Sequence, residues 1–227
     1  MSSLQTLEAK REFSLATLAE ALERVGNGVA AVAWTGGKDS TVALRLWMEI
    51  LRERGAEKPV ALSIDTGLKF PETISFRKAM AREWGVRVIE AGPAFRAAAP
   101  VSEDRLECCR LLKIEPLRAA IAENGISVLI TGIRRDEHPS RGDREAFEKR
   151  CDPDYLQVSP LIEWTEMDIW SHIAGRGLPY CPLYDKGYRS LGCMPCTVLS
   201  GPGSDERAGR DDQKERCLSE LHHLGYF

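Results

Sequence analysis

No stretch of this chain is apolar over a span long enough to cross a bilayer, and residues 1–12 lack the apolar core of a secretory signal. Neither sign of charge dominates. Against 31 lysines and arginines stand 34 aspartates and glutamates, a net charge of −3. That balance excludes a general electrostatic pull toward nucleic acid or anionic membranes and leaves open only a local basic cleft. Internal repeats and low-complexity tracts are absent. The four histidines, His138, His172, His222 and His223, read as structural or exposed rather than as ligands. The expectation is a cytoplasmic protein without a membrane partner. Cysteine is present in an odd number, seven, so complete internal pairing is excluded. In a chain of this kind cysteine points to metal or redox chemistry rather than to a disulfide framework.

What is there reads as an ordinary globule, 43% hydrophobic and 29% charged over 227 residues. The length predicts one nucleotide-binding domain over residues 1–227, with 177–227 as an irregular cysteine-containing segment closed by a helix. Residues 4–25 have the pattern of an amphipathic helix. Strand patterns then alternate with helical ones: strands at 29–33, 59–64, 86–90 and 127–131, helices at 41–54, 71–84 and 106–123. The order predicts an α/β fold, a parallel sheet with helices on both faces. Such sheets bind ligands beyond the carboxyl ends of their strands, so the loops after Trp34, Ile64 and Thr131 are expected to share one rim. Residues 133–154 are highly charged and read as a mobile loop over that rim. Helices are expected at 165–174 and 211–224. Trp164, Met167 and Trp170 read as core packing.

The run Thr35-Gly36-Gly37-Lys38-Asp39-Ser40 lies between a strand pattern and a helix pattern. Two glycines let backbone amides approach an anion closely, the helix start adds positive potential, Lys38 adds a cation and Ser40 a hydroxyl. This has the form of a pyrophosphate loop, but not the Walker type, whose spacing differs. The competing reading is a Gly-Gly turn with a capping Asp or Ser. Asp65, just past the second strand, either orients Mg²⁺ or a substrate group or merely caps the region of the Pro71 helix. Gly132 and the arginines Arg134, Arg135 and Arg141 follow the fourth strand, where guanidinium forks suit phosphate or sulfate. Arg207 and Arg210 form a weaker basic pair.

Cys193-Met194-Pro195-Cys196 is a CxxC in a Gly/Pro-rich segment, and Cys108-Cys109 is its unusual companion. Spacing alone leaves open a [4Fe–4S] cluster, a zinc site, a redox dithiol or simple buried cysteines. A tandem pair can supply two ligands only if the helix start there is distorted. Cys217 reads either as a nucleophile on a mobile tail or as a half-buried helix cysteine beside Leu218, Leu221 and Leu224.

These motifs, with Asp65-Thr66-Gly67, Phe70-Pro71-Glu72, Pro160-Leu161, Trp164-Thr165 and Leu191-Gly192-Cys193, resemble the adenylyl-sulfate and phosphoadenylyl-sulfate reductase superfamily over residues 31–227. That group includes the small catalytic subunit of bacterial sulfate adenylyltransferase and ATP pyrophosphatases that help place sulfur in DNA. The resemblance implies an adenine nucleotide alpha-hydrolase-like, Rossmann-like fold. It implies an adenine nucleotide held by Thr35 to Ser40, Asp65, Gly132 and Arg141, and a [4Fe–4S] cluster on Cys108, Cys109, Cys193 and Cys196. The ending Leu224-Gly225-Tyr226-Phe227, with Glu206-Arg207-Ala208-Gly209-Arg210 before it, resembles the adenylyltransferase subunit. The cysteines resemble the reductases.

The intact Gly-Gly-Lys-Asp-Ser loop predicts ATP with Mg²⁺ as substrate and adenylation of sulfate or of a sulfur acceptor, with pyrophosphate leaving. Lys38 and Asp39 would act at the phosphates, and Arg134 or Arg135 would hold the incoming oxyanion. The alternative is reduction of adenylyl sulfate (APS) through Cys217 and thioredoxin. A third reading is a nucleotide-binding iron–sulfur subunit without turnover. A GTPase subunit would accompany the adenylyltransferase and a cysteine desulfurase a sulfur-insertion enzyme. Nucleic acid would be met only indirectly, and a homo-oligomer is compatible with each reading.

Overall fold

Strand β1 (Val29–Ala33) is the hub of the chain. All five of its residues are alanine or valine, and Ala31, Val32 and Ala33 are buried, the composition of a strand with covered faces. The computed structural model describes residues 6–56, 58–93, 104–201 and 203–225. Around β1 lie β2 (Val60–Ile64), β3 (Arg87–Ala91), β4 (Ile126–Ile130), β5 (Phe147–Arg150) and β6 (Tyr155–Val158). They form one sheet in the order β3-β2-β1-β4-β6-β5, parallel throughout except where β5 pairs with β6. The chain leaves β1 toward β2 on one side and meets β4 on the other. That reversal of strand order opens a crevice at the carboxyl edge between β1 and β4.

Helices cover both faces. On one, α1 (Leu7–Glu23), α2 (Lys38–Glu53), α3 (Pro71–Trp84) and α6 (Glu166–Arg176) enclose a core around Val32, Val128, Ile130, Trp34, Trp47 and Trp164. On the other, Leu117, Ala120 and Ile121 of α5 (Glu115–Glu123) pack on Ala31, Ala33, Leu62 and Leu129. Pro71 starts α3, where its missing N–H costs nothing, and Gly85 ends it in the left-handed conformation, φ 66°. A reciprocal capping box of Thr165 and Asp168 starts α6. No helix among the described residues is long and apolar enough to cross a membrane.

Several elements differ from the sequence reading. Residues 133–154 are not one loop: two short 3₁₀ turns (Arg135–Glu137 and Pro139–Arg141) lead into β5, the antiparallel edge strand. Its sequence, Phe-Glu-Lys-Arg, hides the strand because an edge tolerates charges that a central strand does not. Helix 106–123 is three pieces: α4 (Arg105–Cys109), a π turn (Arg110–Ile114) and α5. The helix expected at 211–224 breaks at Cys217 into α7 (Asp212–Arg216) and α8 (Leu218–His223). Met167 is exposed, unlike the buried Trp164, because it sits in the first turn of α6 on its solvent side. Residues 4–5 of the expected first helix, Tyr226 and Phe227 lie outside the described residues.

Candidate nucleotide site and cysteine cluster

The three rim loops meet as their strand order requires. One pocket is lined by Thr35, Gly37, Lys38, Asp39 and Ser40 after β1, by Ile64 and Lys69 around the end of β2, and by Gly132 and Ile133 after β4. Helix α2 begins at Lys38, so Lys38, Asp39 and Ser40 form its first turn and the dipole end faces the pocket. Gly36 is in the left-handed region, φ 84°, and a side chain there would meet Thr73 Cγ2 at 2.9 Å. At Gly132 a Cβ would meet Ser40 N at 2.7 Å, so only glycine lets the end of β4 lie against the start of α2.

The loop is internally tied. Thr35 Oγ1 accepts from Gly37 N at 3.2 Å, and the Ser40 hydroxyl donates to the Gly37 carbonyl at 3.0 Å. The Lys38 amide donates to the Tyr184 hydroxyl at 2.9 Å. The Lys38 ammonium is buried and donates to Asp39 Oδ2 at 3.1 Å and to Glu206 Oε1 at 2.5 Å. Burial works against its charge, but Asp39, Tyr184 and Glu206 outweigh it and its pKa is raised.

Arg134 is fully buried beneath the loop. Its Nε donates to Asp39 Oδ1 at 2.7 Å, and its Nη2 donates to Glu206 Oε1 and Oε2 at 2.6 and 2.5 Å. Two cations and two carboxylates thus interlock. Asp39 is held below the ordinary carboxylate range: burial opposes this, but Lys38 and Arg134 prevail. Glu206 is pushed up by burial, against Lys38 and Arg134.

The expected oxyanion holders therefore need correction. The Arg134 fork is filled by protein carboxylates and does not line the pocket. Arg135 points elsewhere, to the Arg144 carbonyl at 3.0 Å and to Glu163. Arg141 does line the pocket, paired with Glu137, and Arg207 and Arg210 join it. These last two are tucked against the pocket, not displayed on a solvated surface. Asp65 accepts from Gly67 N at 2.9 Å and stays out of the pocket lining; it caps its own turn and not the Pro71 helix, whose N-cap is Phe70. Sequence reasoning did not single out Lys69, Lys113, Glu137 or Tyr184 and left Glu206 without a role. The one local signal was Lys113, a helical turn beyond Cys109.

All seven cysteines are free thiols, and Cys108, Cys109, Cys193 and Cys196 are buried. Asp104 caps α4, its side chain accepting from the Leu106 and Glu107 amides, and the π turn follows directly on the Cys108-Cys109 pair. That is the distortion a tandem pair needs. The segment 193–196 is a 3₁₀ turn joined to the loop after β2: Met194 N donates to Leu68 O at 2.8 Å, and Thr66 Oγ1 lies 3.3 Å from Cys193 Sγ. Lysines and arginines link the two segments. Lys113 Nζ donates to Cys109 Sγ at 3.8 Å and also acts on Cys193 and Cys196, while Arg105 faces both Cys108 and Cys196. Burial opposes the Cys193 thiolate, but Lys113, Lys69 and the Thr66 hydrogen bond bring its pKa down to about 7. Among the described residues no three His, Cys, Asp or Glu side chains converge on a single-ion site.

Cys217 caps α7 outside the pocket lining. Burial, then Glu220, Asp104 and Cys109, push its thiol up. Cys181 is buried beside Phe76 and Leu183, and Cys151 is exposed.

A parallel sheet with this switch point and a Gly-Gly-Lys loop at its rim defines a nucleotide-binding α/β protein of the adenine nucleotide alpha-hydrolase-like type. Solved structures agree on the fold. A phosphoadenylyl-sulfate reductase from Candida auris superposes with a TM-score of 0.64 at 19% identity, covering 85% of this chain and 98% of that one. An FMN adenylyltransferase from Candida glabrata gives 0.67 at 18% identity, covering 99% and 84%. The phosphoadenosine phosphosulfate reductase domain profile matches residues 29–199, and the chain belongs to that family. Among curated relatives, the phosphoadenosine 5′-phosphosulfate reductase of Gloeobacter violaceus is 31% identical over 218 residues, 91% of this chain and 87% of that protein. The adenosine 5′-phosphosulfate reductase of Allochromatium vinosum is 30% identical over 221 residues, 92% and 82%. That of Rhodococcus erythropolis is 37% identical over 161 residues, 66% and 63%.

Proposed function

We propose that the protein reduces an adenylyl sulfate to sulfite and the corresponding adenine nucleotide. The observation that carries this reading is the set of relatives: proteins 30–38% identical to this chain bear reductase names. The alternative expected second from sequence thus gains support over ATP-dependent adenylation. The pocket fits it. Lys69, Lys113, Arg141, Arg207 and Arg210 supply cations for a phosphate–sulfate anhydride, and the apolar Leu62, Ile64 and Leu117 supply a wall for a base. A nucleotide of this kind carries no pyrophosphate, and Mg²⁺ has no assigned role in its reduction.

In the reaction, a thiolate attacks the sulfate sulfur. The new S–S bond forms as the S–O bond to phosphorus breaks, and the nucleotide leaves with the electron pair. Cys217 is the candidate nucleophile because it lies on the segment that follows Arg207 and Arg210. Its thiol is pushed up and it lies outside the pocket lining in this conformation, and the pocket cations would stabilise its thiolate once α7 brings it to the pocket. A dithiol reductant of the thioredoxin class then attacks Cys217 Sγ, sulfite leaves, and the reductant's second thiol closes its disulfide. The reductant loses two electrons and the sulfate sulfur gains them.

Cys108, Cys109, Cys193 and Cys196 fit a [4Fe–4S] cluster: four buried free thiols on a π-distorted helix and a tight turn, with Lys69, Lys113, Arg105 and Lys214 balancing an anionic centre. When bound, the cluster would supply a fixed negative field beside the substrate anion. Lys113 touches Cys109 and lines the pocket, so this chain's own lysine stands between the two.

The test is incubation with adenylyl sulfate without reductant, followed by mass spectrometry. A sulfonate adduct on Cys217, absent from Cys217→Ser, is expected. Unchanged sulfite formation by Cys217→Ser with reductant would remove Cys217 from the mechanism.

A further inference from the structure

The loop sequence invites a pyrophosphate, yet the relatives reduce sulfur. The structure contains a residue that reconciles the two. Glu206 reaches Lys38 at 2.5 Å and spans both oxygens onto Arg134 Nη2 at 2.6 and 2.5 Å. A carboxylate held by an ammonium and a guanidinium has the contacts of an anionic ligand group. Asp39 accepts from both Lys38 and Arg134, and Arg134 Nη1 donates to Asp136 Oδ2 at 3.2 Å, so every donor group of the two cations is engaged by protein. Tyr184 meanwhile occupies the Lys38 amide. The segment carrying Glu206 is itself anchored: Arg189 donates to the Ser204 carbonyl and pairs with Glu166, while the Arg189 carbonyl accepts from Lys38 at 3.4 Å.

We propose that Glu206 sets the ligand charge this loop accepts. Seated between Lys38 and Arg134, it puts a carboxylate where one anionic group of a pyrophosphate would sit, so that a pyrophosphate-bearing ligand binds only by displacing it. The loop then serves a nucleotide whose anionic groups lie toward Lys113, Arg141, Arg207 and Arg210, and an intact Gly-Gly-Lys sequence does not entail ATP cleavage. This rests on the reductase reading only for which nucleotide is favoured. The charge exclusion stands on the geometry of the four residues. Of the two carboxylates, Glu206 is the one that yields: Asp39 belongs to α2, whereas Glu206 sits on an irregular strap outside any helix or strand.

Removing the charge while keeping the shape tests this. Glu206→Gln removes the carboxylate that Lys38 and Arg134 share while Asp39 and Asp136 stay in place, and inorganic pyrophosphate binding, followed by calorimetry, is expected to tighten on the order of tenfold or more. Glu206→Asp, which keeps the charge, is expected to stay near the parent. Unchanged or weaker pyrophosphate binding by a folded Glu206→Gln protein overturns the proposal. Should that variant fail to fold, hydrogen exchange on the parent decides. Saturating pyrophosphate is expected to raise exchange in residues 203–206 as the strap is released, and unaltered or slower exchange there contradicts it. Neither readout uses turnover. Absent sulfite formation with tightened pyrophosphate binding would refute the reductase reading alone.

Discussion

Lys38 and Glu206 meet at 2.5 Å across 168 residues of sequence. The contact joins the first turn of α2 to a strap near the other end of the chain, and Arg134 buttresses it from beneath. It makes the loop part of a buried ion cluster rather than a free phosphate cradle. Two adjacent arginines therefore have opposite fates. Arg134→Ala removes a fully buried cation from the carboxylates of Asp39, Asp136 and Glu206 and is expected to cost about 3–5 kcal/mol. Arg135→Ala loses a half-exposed pair with Glu163 and is expected to cost under about 1 kcal/mol. Denaturant unfolding of the two variants checks this, and equal losses contradict it.

A second contrast concerns two glycines. A Cβ at Gly132 meets Ser40 N at 2.7 Å and the Asp39 carbonyl carbon at 2.8 Å, both backbone atoms that cannot swing away. Gly132→Ala is expected to cost about 1–3 kcal/mol and to weaken adenosine monophosphate binding by shifting the first turn of α2. Gly175, inside α6, has nothing within 4 Å of its Cβ position. Gly175→Ala is expected to stabilise by about 0.5–1 kcal/mol through helix propensity and leave binding unchanged. Thermal melts and calorimetry read both.

Acid should loosen the fold through histidine. His172 packs edge-on against Trp164, ring centroids 5.3 Å apart. Burial, then Arg176 and Arg11, push its pKa down from the ordinary 6.5 to about 4. The unfolded chain takes up the proton below 6.5, whereas the folded one does not until about 4. Stability is therefore lost as pH falls through that window, at up to about 1.4 kcal/mol per pH unit. His222, pushed down to about 3 by burial and by Arg141, Arg144 and Arg150, acts in the same sense. The melting temperature is expected to drop from pH 6.5 to 4.5, and His172→Phe to flatten that drop. Identical slopes would exclude His172 as a cause.

The cysteines make a further expectation. Protein purified without oxygen should carry about four irons and matching acid-labile sulfide per chain, with the content falling in Cys193→Ser and Cys109→Ser. Stoichiometric zinc without sulfide would contradict the cluster. Cys181→Ser and Cys151→Ser, outside the two segments, are expected to keep the iron.

The legible part of this protein was its local grammar. Apolar runs such as Val29–Ala33, Pro71 at a helix start and the Gly36-Gly37 turn each carry their conformation in neighbouring residues, so four of the six strands, the main helices and the rim loops could be read directly, while β6 (Tyr155–Val158) was not. The charged strand Phe147–Arg150 could not, because pairing with β6 and not its composition makes it a strand. The site split along the same line. The loop, Gly132 and Arg141 stand out by their places after strands, whereas spacing leaves the role of the four cysteines open. Tyr184 and Lys69 line the site only through tertiary contact, and Glu206, though part of a motif that resembles a family, gains its place on Lys38 and Arg134 the same way. Arg134 and Arg135 lie outside the pocket lining for the same reason: their place after β4 is a matter of sequence, but which guanidinium faces the pocket depends on the distant carboxylates they meet.

The most direct measurement offers anaerobically purified protein adenylyl sulfate with a thioredoxin-type dithiol and, separately, ATP with sulfate and Mg²⁺, assaying sulfite in the first and pyrophosphate in the second. The reductase account predicts sulfite with an equal amount of adenosine monophosphate and no pyrophosphate. Pyrophosphate release from ATP with no sulfite from adenylyl sulfate would contradict it and return the loop to adenylation.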